Sequence, residues 1–184
     1  MIETLSATIP EDIEKLVHRV LDRACQQKLM LAAAESCTGG LLASLLTDIE
    51  GCSHVFERGF VVYSEQAKCE LLGIAQEKID SCGAVSEEVA RAMAKGAIAA
   101  SNADIAVSIT GFAGEGDEPG LVHFACASRS GECDHRECHF GDIGRGPIRI
   151  AAIRVALELL ARAVAASAEQ GDGSSKDDGA DQAA

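Results

Sequence analysis

Residues 28–47 leave the chain little choice of architecture. Lys28 to Glu35 is a short apolar run with the length of a buried strand. It ends in Ser36-Cys37-Thr38-Gly39-Gly40, and a helical segment, Leu41 to Thr47, follows at once. A strand that turns through glycines directly into a helix is the opening of an α/β unit, and the rest of the chain continues the alternation. Pro10 to Gln27 places Ile13, Leu16, Val17, Val20, Leu21 and Ala24 on one helical face. Gly59 to Tyr63 reads as a strand, and Ser64 caps a helix that Gly73 stops after Leu72. Ser86 caps a second such helix, Glu87 to Ser101, with acids in its first turn. Asp104 to Thr110 is an apolar strand, and Gly111 to Gly120 a glycine-rich loop. Leu121 to Ser128 and Glu132 to Phe140 read as hairpin partners. Pro147 to Ala165 forms the closing helix, with its proline where the first turn tolerates one.

This order predicts an α/β fold: a single three-layer domain over residues 1–166, with a mixed sheet of about five or six strands flanked by helices. Residues 167–184 are rich in Gly, Ser and Asp and lack apolar periodicity, which predicts a disordered acidic tail. Aromatic residues make up only 3 % of the chain and Trp is absent, against 47 % apolar residues overall. The core must therefore be built from Ala, Leu, Ile and Val. Functional sites in such sheets lie at the carboxyl ends of the strands.

Charge narrows the partners. The formal net charge is −13, and the tail holds Glu169, Asp172, Asp177, Asp178 and Asp181 against Lys176 alone. An acidic body offers no footprint for a nucleic-acid backbone, so no nucleic-acid partner is expected. No run reaches the roughly 18 apolar residues of a membrane span, so no membrane partner is expected either. The eight cysteines lie mostly in apolar or Ala-rich segments, and Met1 to Pro10 lacks the features of a signal peptide. Both point to reduced thiols and a cytoplasmic location.

Three strand ends carry chemistry: Glu35 to Gly40, Tyr63 to Lys68, and Thr110 to Gly120. Ser36 sits where strand gives way to helix. The amides near Thr38, Gly39 and Gly40 would lack intrahelical partners and, with the helix dipole, offer a place for an oxyanion or phosphate. The same residues would equally make a plain capped turn. Serine needs a base, and Lys68 can serve if burial keeps it neutral; otherwise it is a snorkelling surface lysine. Tyr63, the only tyrosine, could relay a proton or simply cap the core. The loop from Thr110 and Gly111 onward resembles a phosphate loop but is not a nucleoside-triphosphate motif. Arg145 and Arg149 flank the last helix and could hold a phosphate. Cys37 competes with Ser36 as nucleophile, although strand alternation would turn the two to opposite faces. Cys133-x-His135-x2-Cys138-His139 holds metal-type donors, yet no partner spacing completes four ligands, so no metal or cofactor is expected.

Ala34-Glu35-Ser36-Cys37-Thr38-Gly39-Gly40 resembles the signature of the CinA carboxy-terminal-domain family. The likeness continues in Phe56-Glu57-Arg58-Gly59-Phe60, Tyr63-Ser64-x-x-Ala67-Lys68 and Leu72-Gly73. It resumes in Gly83-Ala84-Val85-Ser86-Glu87-Glu88-Val89-Ala90, Ser108-Ile109-Thr110-Gly111-x-Ala113-Gly114 and Gly141-Asp142, and covers about residues 10–165. The resemblance implies a metal-free amidohydrolase that converts nicotinamide mononucleotide to nicotinic acid mononucleotide and ammonia. It implies a small-molecule nucleotide partner and a homodimer or higher homo-oligomer. Ser36 would be the nucleophile, Lys68 its base and Tyr63 an assistant. Thr38, Gly39, Gly40, Ser53, Thr110, Gly111 and Arg145 would bind substrate. The alternative is a non-catalytic nucleotide-binding or partner-binding module. Two departures bear on ligand contacts: the loop Glu115 to Gly120 is shorter and more acidic than in the family, and Gly141-Asp142-Ile143-Gly144-Arg145 displaces the arginine of the usual Gly-Asp-Arg.

Overall fold

The computed structural model describes residues 9–47, 51–114 and 116–172, with side chains up to residue 168. Five strands form one mixed sheet in the order β2-β1-β3-β4-β5. They are β1 (Leu31–Glu35), β2 (Phe56–Val61), β3 (Ile105–Gly111), β4 (Leu121–Ser128) and β5 (Cys133–His139). β1 runs parallel to both β2 and β3, with Leu31 opposite Ile105 and Glu35 opposite Ile109. β4 and β5 add an antiparallel hairpin at one edge, with His123 opposite Thr110. Every residue of β1 is buried, as expected of a central strand covered on both faces.

Among the described residues six helices cover the sheet: α1 (Glu11–Gln27), α2 (Leu41–Leu46), α3 (Glu65–Leu72), α4 (Gln76–Cys82), α5 (Glu87–Ala99) and α6 (Arg145–Asp172). Strand alternation divides the core in two. Leu31 and Ala33 with Ile105, Val107 and Ile109 face α1, α2 and α6, where Ile13, Leu21, Leu42, Ile153 and Leu157 are buried. Ala32, Ala34 and Ala106 face α3, α4 and α5, meeting Leu72, Ile79, Val89 and Met93. Phe124, in the first layer, is the bulkiest of the fully buried apolar side chains among the described residues. Its truncation to Ala would cost about 3–5 kcal/mol.

Local chemistry sets the boundaries. The Ser64 side chain accepts from the Ala67 amide and that of Ser86 from the Val89 amide. Gly73 closes α3 in the left-handed region at φ 66°. Departures from the expected elements have local causes. β2 begins at Phe56 and stops at Val61, so Tyr63 lies beyond the strand. Lys28 ends α1 with φ 56°, which delays β1 to Leu31. α4 went unpredicted because it has no side-chain cap and buries Ile79 alone. α6 starts at Arg145 rather than Pro147 and runs to Asp172, past the expected boundary at 166. The remainder of the expected acidic tail, residues 173–184, lies outside the described residues. Among the described residues no helix is long and apolar enough to cross a membrane.

Candidate active site

The turn after β1 is built around a buried carboxylate. Glu35, 1 % exposed, points under the start of α2 and accepts from the amides of Gly40 (3.1 Å), Leu42 (3.1 Å) and Ala43 (2.8 Å). These are the orphan donors of a helix amino terminus, here satisfied by an anion that the dipole favours. Gly39 (φ 61°) and Gly40 (φ 90°) supply the left-handed backbone that folds the chain back over Glu35. This corrects the sequence reading. The Gly40 amide is taken by Glu35, and the Gly39 amide donates to the Ser36 carbonyl at 3.1 Å, so neither is free for a ligand. The amides of Cys37 and Thr38 make no backbone hydrogen bond among the described residues.

Ser36 continues the strand for one more rung, its amide bonded to the Ile109 carbonyl at 3.0 Å. Alternation then separates the two candidate nucleophiles. Cys37 packs with Leu31 and Ala33 in the α1/α6 core, while Ser36 turns toward α3. Burial also pushes the Cys37 thiol up to about 12, so it stays protonated and unreactive at neutral pH.

Ser36 meets Lys68. The lysine, one turn into α3, is 2 % exposed. Its Nζ lies 3.2 Å from Ser36 Oγ and donates to the Val62 carbonyl at 3.0 Å. No carboxylate lies within ion-pair distance of Nζ among the described residues. Burial holds the amine below its usual range, and the negative charge of Glu65 opposes this. With the amine neutral, the same contact reverses: the Ser36 hydroxyl donates to the lone pair of Nζ.

The pair opens into a cavity of about 360 Å³, within the size range of small-molecule sites. Ser36, Tyr63, Lys68, Thr110, Gly111 and Arg145 line it, together with Glu65, Phe112 and Ala113. Six of the expected residues are thus brought together. Thr38, Gly39, Gly40 and Ser53 are not part of this lining. Thr38 is fully buried behind the turn, where its carbonyl accepts from Arg149 at 2.6 Å, and Ser53 is exposed on the loop before β2. Tyr63 is 64 % exposed. Its hydroxyl accepts from Arg145 at 3.4 Å, so the two stand together at the cavity mouth. Thr110 donates to the Ala84 carbonyl at 2.8 Å and ties the β3 end to the cavity wall.

The metal-type donors of the hairpin do not assemble a site. His135 pairs with His123 at 3.1 Å, and no group of three ligand-type side chains able to hold an ion occurs among the described residues. Sequence reasoning missed Glu35 and Glu65, and Arg149, read as able to hold a phosphate, donates instead to the Thr38 carbonyl. Glu35 stood in the signature, but nothing in the pattern showed that its carboxylate serves amides five to eight residues ahead.

The fold and site together define a class: a single α/β domain with a buried serine–lysine pair at the carboxyl ends of its parallel strands. The chain belongs to the CinA C-terminal domain family, whose model matches residues 13–164. It is 47 % identical over 136 residues to the nicotinamide-nucleotide amidohydrolase PncC of Escherichia coli K12, covering 71 % of this chain and 81 % of that protein. It is 42 % identical over 159 residues to a competence-damage inducible protein of Caldicellulosiruptor saccharolyticus, covering 83 % of this chain. The match spans only 38 % of that longer relative. Among solved structures, the competence/damage inducible protein CihA from Agrobacterium tumefaciens superposes with a TM-score of 0.83 at 45 % identity, covering 87 % of this chain and 99 % of that one.

Proposed function

We propose that this chain is a serine–lysine amidohydrolase acting on the carboxamide of nicotinamide mononucleotide. The observation that carries the reading is the 3.2 Å approach of a buried lysine amine, without an ion-pair partner among the described residues, to the Ser36 hydroxyl in the cavity lining. A neutral amine at that distance accepts the hydroxyl proton as oxygen attacks the carboxamide carbon. The tetrahedral oxyanion falls to the amide of Cys37, which lines the cavity and is the residue after the nucleophile, as in other serine hydrolases. The protonated lysine then returns its proton to the departing nitrogen, and ammonia leaves. Water, deprotonated by the same amine, releases the acid and restores Ser36.

Two features support the substrate. The E. coli relative bears the name of this activity, and Arg145 at the cavity mouth suits a phosphate. The location proposed is cytoplasmic, and the assembly a homodimer or higher homo-oligomer. A second reading, a binding module without turnover, draws on Glu35, which withdraws the α2 amides from the site. Incubation with nicotinamide mononucleotide separates the two readings: ammonia release supports the enzyme, whereas saturable binding without release supports the module.

A further inference from the structure

Glu65 opens α3 and Lys68 follows three residues later, so the two share one helix face and look into one space. Both line the cavity, and with Arg145 they are its charged side chains among the described residues. Burial pushes Lys68 toward its neutral form. With the amine neutral, as the proposed attack by Ser36 requires, what remains is one anion and one cation: a carboxylate on the α3 wall and a guanidinium at the mouth. The carboxylate is exposed and carries a single long hydrogen bond, from Gln76 Nε2 at 3.4 Å, and no ion pair holds it elsewhere among the described residues. Phe112 adds an aromatic face to the same lining, which also favours a cation. The Tyr-Ser-x-x-Ala-Lys motif leaves position 65 open, so nothing in the signature demands an acid there.

We infer that Glu65 is a specificity-determining residue that selects ligands with a positively charged ring, Arg145 taking the anionic end. This rests on the reading of the cavity as a nicotinamide-nucleotide site and adds to it a charge pattern. The pyridinium nucleotide is a zwitterion, positive at the ring and negative at the phosphate, and the cavity offers the opposite signs. The reduced dihydropyridine nucleotide has the same shape, phosphate and carboxamide but a neutral ring, so it isolates the contribution of Glu65.

The test is a calorimetric titration of the Ser36→Ala protein with nicotinamide mononucleotide and with its reduced form, at about pH 8 where the phosphate is fully ionised. The oxidised ligand should bind about three- to tenfold more tightly, as expected of a partly enclosed ion pair. In Ser36→Ala/Glu65→Gln the preference should vanish through weaker binding of the oxidised ligand alone, and Glu65→Asp should restore part of it. Thermal melts check that the variants fold; Glu65 is exposed, so their midpoints should match the parent. An unchanged preference in Glu65→Gln, no preference in the parent, or no binding of either ligand overturns the inference. Ammonia release by the unmutated protein decides the parent reading separately. Release with a preference indifferent to Glu65 sinks only the inference; a Glu65-dependent preference without release sinks only the hydrolase.

Discussion

Removing the Glu35 carboxylate should both unfold the chain more easily and loosen the nucleophile turn. In Glu35→Ala, three amide donors, those of Gly40, Leu42 and Ala43, lose an ionised acceptor. Hydrogen bonds to charged groups contribute about 1.5–3 kcal/mol each. Water can reach the Gly40 amide, whose residue is half-buried, but not that of buried Leu42. Allowing for that recovery and for non-additivity, the loss should be about 3–5 kcal/mol. For a domain of this size that lowers the melting midpoint by roughly 10 °C or more. Glu35→Gln should fall between, since one oxygen still serves Gly40 and Leu42 while the amide nitrogen opposes the Ala43 N–H. Urea denaturation followed by circular dichroism measures both; the midpoint should drop with an unchanged slope. A loss below about 1 kcal/mol in Glu35→Ala would refute the claim that this carboxylate organises the turn.

Other outcomes follow from the same geometry. Because burial depresses Lys68, activity should rise with pH through an apparent pKa below 10.5 that Glu65→Gln moves lower still; an acid limb unmoved by that substitution would count against the assignment. Between that pKa and 10.5 the folded state binds fewer protons than the unfolded one, so this residue's contribution to stability increases with pH. Lys68→Met should remove that dependence from urea midpoints measured across the window, and abolish turnover. Gly96→Ala should destabilise by about 1–3 kcal/mol despite its better helix propensity, because the added Cβ would stand 2.3 Å from the Leu72 carbonyl oxygen; a rise in the melting midpoint would contradict the close packing of α3 on α5. Cys37→Ala should keep most of the activity, since its thiol is buried and held protonated; a loss comparable to that of Ser36→Ala in the same ammonia assay would move the nucleophile.

How much was legible in the sequence depended on whether the signal was local. The caps at Ser64 and Ser86, the stop at Gly73 and the strand–glycine–helix run at 31–46 are each written within a few residues, and the structure follows them. Ser36 and Cys37 could be assigned to opposite faces from strand alternation alone. What stayed hidden depends on distant partners. Whether Lys68 snorkels or is buried is decided by Val62, Ser36 and the walls around them, not by its helix. The fate of the α2 amides is decided by the reach of Glu35, a side chain that sequence alone leaves as one more acid. α4 offered no cap and a single buried residue, so its pattern resembled a loop. Arg145 was read as part of a flank, yet it opens α6, because Gly146 and Pro147 are tolerated in a first turn.

The central claim is that a serine hydroxyl and a neutral lysine amine form one catalytic unit, and ammonia release from nicotinamide mononucleotide tests it most directly. The unmutated chain should release ammonia, Ser36→Ala and Lys68→Met should each abolish release, and the double variant should be no worse than either alone. Undiminished release from Ser36→Ala would contradict the account.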